Sequence, residues 1–357
     1  MVKNIQIVIT DITNTGGTER TTTLLANELV RSGINVGIIS LFKKNKDAAF
    51  SLDSRIDVEY LLDDVYTSQL SAFKRISYIA KCFCRLRAYC RHINAQKFIA
   101  VAFLPAFLLF LSRLSNKTIG WEHFKYSLYG NWVTRFRNFV YRRLCSVVTL
   151  TDNDTEAFKR SGVRSVTIHN IAPFAIRNND GDSSKQLIAV GRLSYQKGYD
   201  LMLEAVRNVF KLYPDWTLNI YGNGELRHEI IQQIKSLKLE KNVFLKGCSN
   251  NIEEILQHST IYVMSSRFEG LPMVLLEALA CGIPIVSFNC KEGPSEILKN
   301  GSGLLVPAEN TEMLSHSIIE LIDNQQLRHS IREKGYERIK EFYPEKILPL
   351  WLNLLKS

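Results

Sequence analysis

Short apolar runs alternate with stretches of helical periodicity from one end of the chain to the other. In the first half the strand-length runs are 5–10, 36–41, 58–62, 98–103, 118–121, 147–151 and 166–169, with helical spacing between them, for example over 21–31, 72–93 and 135–144. Strand–helix alternation of this kind predicts a parallel sheet covered on both faces. The polar, turn-rich segment 178–184 interrupts the pattern and reads as a linker. The alternation then restarts, with runs at 187–190, 217–221, 243–245, 261–264, 285–288 and 304–306. A last helical stretch, 344–355, follows after the second core is complete. The expected fold class is α/β, with two parallel-sheet domains over residues 1–175 and 176–343.

Composition agrees with that picture. The chain has 357 residues, 46% of them hydrophobic, which is too long for one typical core and suits two ordinary domains. The longest apolar run, 98–111, contains Pro105 and is shorter than the roughly 20 residues a membrane-spanning helix needs. It reads as a strand over 98–103 and a helix starting at Pro105. The amino terminus enters a strand pattern with no signal-peptide pattern, so a cytoplasmic location is expected. Seven cysteines, Cys82, Cys84, Cys90, Cys145, Cys248, Cys281 and Cys290, form no C-x-x-C pair. They read as buried free thiols rather than a zinc site.

Charge is uneven. The net charge is +10, and residues 1–180 hold 25 Lys/Arg against 14 Asp/Glu while residues 181–357 hold 20 against 21. Between Val65 and Cys145 there are fourteen basic residues and one acid, Glu122. Such a block implies an anionic partner. Over 74–91, Ile76, Ile79, Phe83, Leu86 and Cys90 recur at helical spacing, with Lys74, Lys81, Arg85 and Arg91 elsewhere on the wheel. A basic amphipathic helix suits an anionic bilayer surface, and Arg135, Arg137, Arg142 and Arg143 with Phe136, Phe139 and Tyr141 would extend the patch. An ordinary domain helix with a solvated basic face is the competing reading. No nucleic-acid motif accompanies the charge.

Five segments carry candidate chemistry, each placed after a predicted strand. In Arg267-Phe268-Glu269-Gly270-Leu271-Pro272, a glycine loop opens a helix near Met273, where free backbone N–H groups and the helix dipole favour anions. Glu269 in the loop and Glu277 in the helix could accept hydrogen bonds from sugar hydroxyls and a ribose diol, or be plain surface acids. In Gly191-Arg192-Leu193-Ser194-Tyr195-Gln196-Lys197-Gly198, Arg192 and Lys197 could reach a diphosphate from one loop. Tyr221-Gly222-Asn223-Gly224-Glu225 could border a nucleobase, though it is no full G-x-G-x-x-G. Gly16-Gly17-Thr18-Glu19-Arg20 lets backbone approach a phosphate or an acceptor. Trp121-Glu122-His123 offers an imidazole that could hydrogen-bond the sugar or the leaving phosphate, though a lone histidine is more often structural. Asp152-Asn153-Asp154 spells the D-x-D of many metal-dependent transferases, but it opens a first-half helix and reads as capping.

Together and in this order, these motifs resemble retaining glycosyltransferases of family four, which have the GT-B fold of two Rossmann-like domains facing across a cleft. Glu269 and Glu277 match that family's E-x-seven-E signature, Gly191-Arg192 with Lys197 its phosphate-contacting pair, and Gly16-Gly17-Thr18-Glu19-Arg20 its G-G-x-E-R loop. Glu292-Gly293-Pro294-Ser295-Glu296-Ile297 is similar to a block of members that build bacterial surface polysaccharides. The resemblance implies that Glu277 binds ribose and that Glu269 contacts the donor sugar with backbone N–H groups near Gly270 and Leu271. It implies that Arg192 and Lys197 neutralise the diphosphate, that Gly16 and Gly17 approach it, and that His123 lies beside the transferred sugar. The catalytic set is thus His123, Glu269, Arg192 and Lys197. Donor contacts come from Gly16, Gly17, Gly191, Tyr221, Gly222, Gly224, Glu225, Gly270, Leu271 and Glu277 besides. No metal or other cofactor is expected. Residues 344–357 are expected to pack back on the first, acceptor-binding domain. The implied reaction moves a hexose or N-acetylhexosamine from a nucleotide sugar, with a UDP-sugar the expected donor, to a lipid-linked glycan of an O-antigen, capsule or similar polymer. A sugar-nucleotide epimerase, a phosphorylase and a non-catalytic membrane-associated scaffold are the alternatives.

Overall fold

The computed structural model describes residues 2–67, 70–128, 130–179, 181–249, 251–291 and 293–356. The chain divides into two units, Met1–Ile171 with Pro344–Ser357, and Ala172–Tyr343.

Unit 1 contains β1 (Asn4–Ile9), α1 (Gly17–Arg31), β2 (Asn35–Ser40), β3 (Asp57–Tyr60), α2 (Ala72–His92), β4 (Lys97–Val101), α3 (Phe103–Leu111), β5 (Thr118–Trp121), α4 (Asn131–Tyr141), β6 (Ser146–Thr149), α5 (Asp152–Arg160) and β7 (Ser165–Thr167). The strands form one seven-stranded parallel sheet in the order β3-β2-β1-β4-β5-β6-β7. Its central strands are buried on both faces, which is why β1 and β4 read as largely apolar runs. The long apolar run breaks earlier than its composition suggests. Strand β4 ends at Val101, Ala102 turns the chain at φ 69°, and α3 begins at Phe103. Pro105 therefore sits in the first helical turn, where a missing N–H costs no intrahelical bond.

Unit 2 contains β8 (Gln186–Val190), α6 (Tyr199–Leu212), β9 (Thr217–Tyr221), α7 (Arg227–Ser236), β10 (Val243–Gly247), α8 (Ile252–Gln257), β11 (Ile261–Met264), α9 (Met273–Ala280), β12 (Ile285–Asn289), α10 (Pro294–Ile297), β13 (Leu304–Pro307), α11 (Thr311–Asp323) and α12 (Gln325–Ile339). Its parallel sheet runs β10-β9-β8-β11-β12-β13. The chain leaves β8 toward β9 on one side and reaches β11 on the other, so the order reverses between β8 and β11. A crevice at the carboxyl ends of two such strands is where open α/β sheets take ligands.

A last helix, α13 (Pro344–Lys356), belongs to unit 1. It buries Ile347, Trp351 and Leu355, and Trp351 meets Trp121 of β5 edge-to-face at 5.1 Å. Segment 178–184 does not behave as a linker. Asp182 pairs with Arg328 at 3.2 Å and Arg332 at 3.0 Å, and Asn179 bonds to the Leu256 and Ser259 carbonyls, so the segment is tied into unit 2. Asp180 within it, like Glu292 of the later block, lies outside the described residues. None of the seven cysteines is in a disulfide, and Cys84 and Cys248 are exposed, unlike the buried thiols expected. Burial pushes Cys82 and Cys90 up to about 12. Among the described residues no helix is long and apolar enough to cross a membrane.

Candidate functional site

The Gly191–Gly198 loop leaves β8 and the Ser265–Pro272 loop leaves β11, so the two flank the reversal point of the unit 2 sheet. They are locked together. The Lys197 ammonium lies 2.6 Å from Glu269 Oε1. Gln196 Nε2 donates to the Phe268 carbonyl at 3.0 Å and to Glu269 Oε2 at 3.3 Å. Ser265 Oγ donates to the Lys197 carbonyl at 3.0 Å. Arg267 forks onto Asp200 at 2.9 and 2.6 Å while its guanidinium covers the Tyr195 ring at 4.2 Å. That bidentate pair holds the Asp200 carboxyl below its ordinary range, against the opposing pull of burial.

Glu269 and Glu277 are both buried, so neither is the surface acid that spacing alone allowed. Glu277 sits in the second turn of α9, whose amino end follows Pro272 and carries no side-chain cap. Beneath the loops, the Tyr199 hydroxyl donates to the Gly191 carbonyl at 3.1 Å and the Tyr262 hydroxyl to the Val190 carbonyl at 3.4 Å. Burial raises both phenols, and the charges of Glu277 and Glu269 add to the effect at Tyr262. Both acids therefore lie within electrostatic reach of one hydroxyl. The floor is close-packed, with a void of about 10 Å³ between Lys197, Tyr199 and Tyr262.

The Tyr221–Glu225 loop leaves β9 beside Gly191. Gly222 is at φ 143°, and a Cβ there would fall 1.9 Å from the Gly191 carbonyl oxygen, so only glycine lets the loops approach. Arg192 Nε pairs with Glu225 at 3.1 Å, both side chains being mostly in solvent. Gly293 is the contact that motif spacing did not reveal: at φ 83°, its Cβ would lie 2.2 Å from the Gly270 carbonyl oxygen, which ties the later block to the Glu269 loop. The fork from Arg267 to Asp200 and the two tyrosines were likewise not singled out from the sequence. Their only signal was position, within or just after the two loops. A groove of about 370 Å³ between α7 and the edge strand β10, lined by Arg227, Ile234, Phe244 and Lys246, shares no residue with these loops.

In unit 1, Gly16 is the N-cap of α1 and Glu19 its third residue. The Glu19 carboxylate folds back to accept the Gly16 N–H, the acidic half of a capping box. Burial raises this carboxyl, backbone N–H groups lower it, and the nearby Asp11 charge raises it further. His123 follows β5, its ring stacked at 4.5 Å on Trp121 and its Nε2 enclosed without a hydrogen-bonding partner. Burial lowers it to about 3, so the imidazole is neutral near pH 7. Asp152-Asn153-Asp154 opens α5, with Thr151 as the N-cap, and Thr167 and Thr151 hydroxyls donate to Asp152 Oδ1 and Asp154 Oδ2 at 2.6 and 3.0 Å. Among the described residues no three His, Cys, Asp or Glu side chains converge as metal ligands.

The basic stretch is only partly a surface. On α2, Cys82 and Leu86 are buried and Ile79, Phe83 and Cys90 pack on the core, so most of the apolar stripe is used internally. Arg137 and Tyr141 leave the expected patch as well, because Arg137 is fully buried against Glu122. What stays exposed is Phe73 (84%) and Ile76 in the first turns of α2, and Trp132 (82%), Val133, Phe136 and Phe139 on α4. Phe136 packs on Phe103 and Phe107 of α3, so α4 lies directly on that helix.

Residues 174–338 match the family described as glycosyl transferases group 1. The amylovoran biosynthesis glycosyltransferase AmsD of Erwinia amylovora is 30% identical over 365 residues, covering 98% of each chain. A Campylobacter jejuni enzyme named as an alpha-1,4-N-acetyl-D-galactosaminyltransferase acting on a diphospho-undecaprenol glycan is 24% identical over 96% of this chain and 95% of its own. Among solved structures, S. aureus TarM in complex with fondaparinux, alpha-GlcNAc-glycerol and UDP superposes with a TM-score of 0.81 at 17% identity, over 99% of this chain and 100% of that one. At that identity the likeness speaks for the fold alone.

Proposed function

The chain belongs to the group 1 glycosyltransferases and has the GT-B fold, and from that premise we propose that it moves a hexose or N-acetylhexosamine from a UDP-sugar to a lipid-linked glycan, with retention at the anomeric carbon. The observation that carries this is the convergence of Lys197, Glu269 and the open amino end of α9 at the reversal point of the unit 2 sheet, with Glu277 one turn further in.

Departure of a nucleoside diphosphate builds negative charge on its outer phosphate. Lys197, Arg192 and the α9 N-terminus are the groups assigned to that charge, and they serve without a metal. Glu269 accepts from the sugar hydroxyls and Glu277 from the ribose diol. The loop after β9, with Tyr221, Gly222, Gly224 and Glu225, borders the base. In unit 1, His123 and the glycine backbone at Gly16 and Gly17 are assigned to the reaction. A neutral imidazole enters as a hydrogen-bonding group and not as a cation. The leaving phosphate takes the proton of the acceptor hydroxyl as the new glycosidic bond forms on the same face.

Unit 1 is read as the acceptor-binding half and as the side that meets an anionic membrane. The exposed apolar residues Phe73, Ile76, Trp132 and Val133 suit the headgroup boundary, and the only acid among fourteen bases, Glu122, is buried and so takes nothing from the positive surface. The relatives' names, amylovoran biosynthesis in one and a PP-undecaprenol glycan in the other, support a lipid-linked acceptor of surface-polysaccharide synthesis.

The test is a panel of UDP-, GDP- and TDP-sugars with the purified chain, read by thermal shift and by nucleotide release, with and without EDTA. One or more UDP-sugars should stabilise the protein and release UDP in a lipid-acceptor-dependent, EDTA-insensitive way. Failure of every nucleotide sugar to bind would overturn the reading.

A further inference from the structure

The turn that carries His123 is pinned at several backbone polar groups, three of them held by buried charged side chains. The Glu122 N–H continues the sheet by donating to the Val148 carbonyl at 2.9 Å. The Glu122 side chain then reaches over His123, and its Oε1 accepts from the Phe124 N–H at 3.1 Å. Its Oε2 accepts from the Tyr141 hydroxyl at 2.9 Å and faces Arg137 Nη1 at 3.6 Å. Arg137 Nη2 donates to the Tyr126 carbonyl at 2.7 Å, while the Tyr126 N–H donates to Asp154 Oδ1 at 2.8 Å. The guanidinium lies between the rings of Tyr126 and Phe158, at 5.2 and 4.8 Å.

Glu122, Lys125, Arg137 and Asp154 are thus two acids and two bases, all less than a tenth exposed, arranged around one turn. Burial raises the Glu122 carboxyl and the Arg137 charge opposes it; Asp154 is raised in the same way and opposed by hydrogen bonds from Tyr126 and Thr151 and by the charges of Arg137 and Lys125. Desolvating four charges is expensive, and well-packed apolar residues stabilise a core at least as well. What such a set supplies instead is a fixed geometry, since Glu122 and Asp154 each accept from a backbone N–H and from a side-chain hydroxyl. His123, carried by this turn, has no hydrogen-bonding partner at its ring nitrogen Nε2.

We propose that Glu122, Arg137 and Asp154 are positioning residues that set the His123 imidazole for sugar transfer, and that Asp154 is a peg for this turn rather than half of a metal-binding D-x-D. The proposal rests on the assignment of His123 to the reaction. Asp154 serves three groups at once, the Thr151 cap of α5, the Tyr126 amide and the Arg137 charge. Asp152, two residues earlier, is exposed and accepts from the Thr167 hydroxyl at its Oδ1.

The experiment uses the full chain, UDP release from whichever of UDP-glucose, UDP-galactose, UDP-N-acetylglucosamine and UDP-N-acetylgalactosamine turns over, and the histidine ring signals of labelled protein, with His123 assigned through His123→Gln. Glu122→Gln and Asp154→Ala should shift the His123 ring signal, which Trp121 stacking makes sensitive to orientation. They should lower kcat at least about tenfold while the KM for the donor moves less than about threefold. Tyr141→Phe removes one hydroxyl, should fold normally and should give the same signature in milder form. Asp152→Asn should leave both readouts at wild-type values, whereas a metal-holding D-x-D would lose activity in it too. Folded variants with an unmoved His123 signal and unchanged kcat would overturn the proposal alone. A His123→Gln protein of unchanged kcat would overturn the assignment of His123 on which it stands.

Discussion

Lys197 and Glu269 sit 2.6 Å apart, the carboxylate almost wholly buried and the ammonium partly open to solvent. The cation assigned to the diphosphate and the acid assigned to the sugar are therefore each other's partner, and a donor that engages both must share them. Lys197→Ala should cost activity twice over. Loss of a donor to the leaving charge lowers kcat by about 10²–10³. Leaving a buried carboxylate unpaired lowers stability by about 1–3 kcal/mol. Steady-state kinetics and urea melts check the two effects separately. Glu269→Gln, which keeps the shape and removes the charge, should spare most of the stability and lose the activity.

Glu277→Ala should weaken donor binding and abolish measurable turnover. A charged acceptor on a ribose hydroxyl contributes about 1.5–3 kcal/mol, so the Kd for UDP should rise about 10- to 150-fold. Calorimetric titration with UDP reads this directly, and an unchanged Kd would remove the residue from the donor site.

Arg192 and Glu225 pair with side chains 74% and 53% exposed. Surface pairs of this kind contribute about 0–1 kcal/mol to stability. Arg192→Ala should therefore leave the melting temperature unchanged while raising the donor KM, an effect that grows weaker as salt is added. A loss of stability without a change in KM would mark the pair as structural.

His123 gives a stability signature as well. Burial lowers it to about 3 in the folded chain, while an unfolded histidine keeps its ordinary value near 6.5. Below the unfolded value the unfolded chain binds a proton that the folded chain refuses, so stability falls as pH drops from about 6.5 toward 3. His123→Gln should show a smaller loss between pH 7 and pH 5 in chemical denaturation.

Cosedimentation with vesicles tests the membrane-facing reading. Binding to phosphatidylglycerol vesicles should exceed binding to phosphatidylcholine and decline with salt. Phe73→Ser with Trp132→Ser should weaken it severalfold without lowering the melting temperature, since both side chains are solvent-exposed. Equal binding of the double variant would move the contact elsewhere.

The strands were legible because both sheets are parallel and buried on each face, so that each central strand is a bounded apolar run. Ten of the thirteen differed from their expected limits by one or two residues, in places because a cap or turn claimed the last residue, as Thr151 does for α5 and Ala102 does before α3. The loops after β8 and β11 were legible as loops because their glycines and charges are adjacent in sequence. The clamp between Arg267 and Asp200 was not, since the two meet only when β8 and β11 become neighbours. Amphipathic spacing on α2 misled for a simple reason: periodicity reports an apolar face without saying whether core or lipid covers it. The buried state of Arg137 was equally hidden, because its counter-charge Glu122 lies fifteen residues away across a turn.

The return of α13 to the first sheet has a practical meaning for anyone dissecting the enzyme. Residues 172–343 are an uninterrupted piece and a sound choice for separate expression. Residues 1–171 are not, because cutting the chain there strips Trp351 from Trp121 and bares the apolar ground on which the His123 ring is stacked. A soluble amino-terminal half would need the last helix grafted back by a short connector, and a carboxyl-terminal tag fused too tightly would press on the same helix.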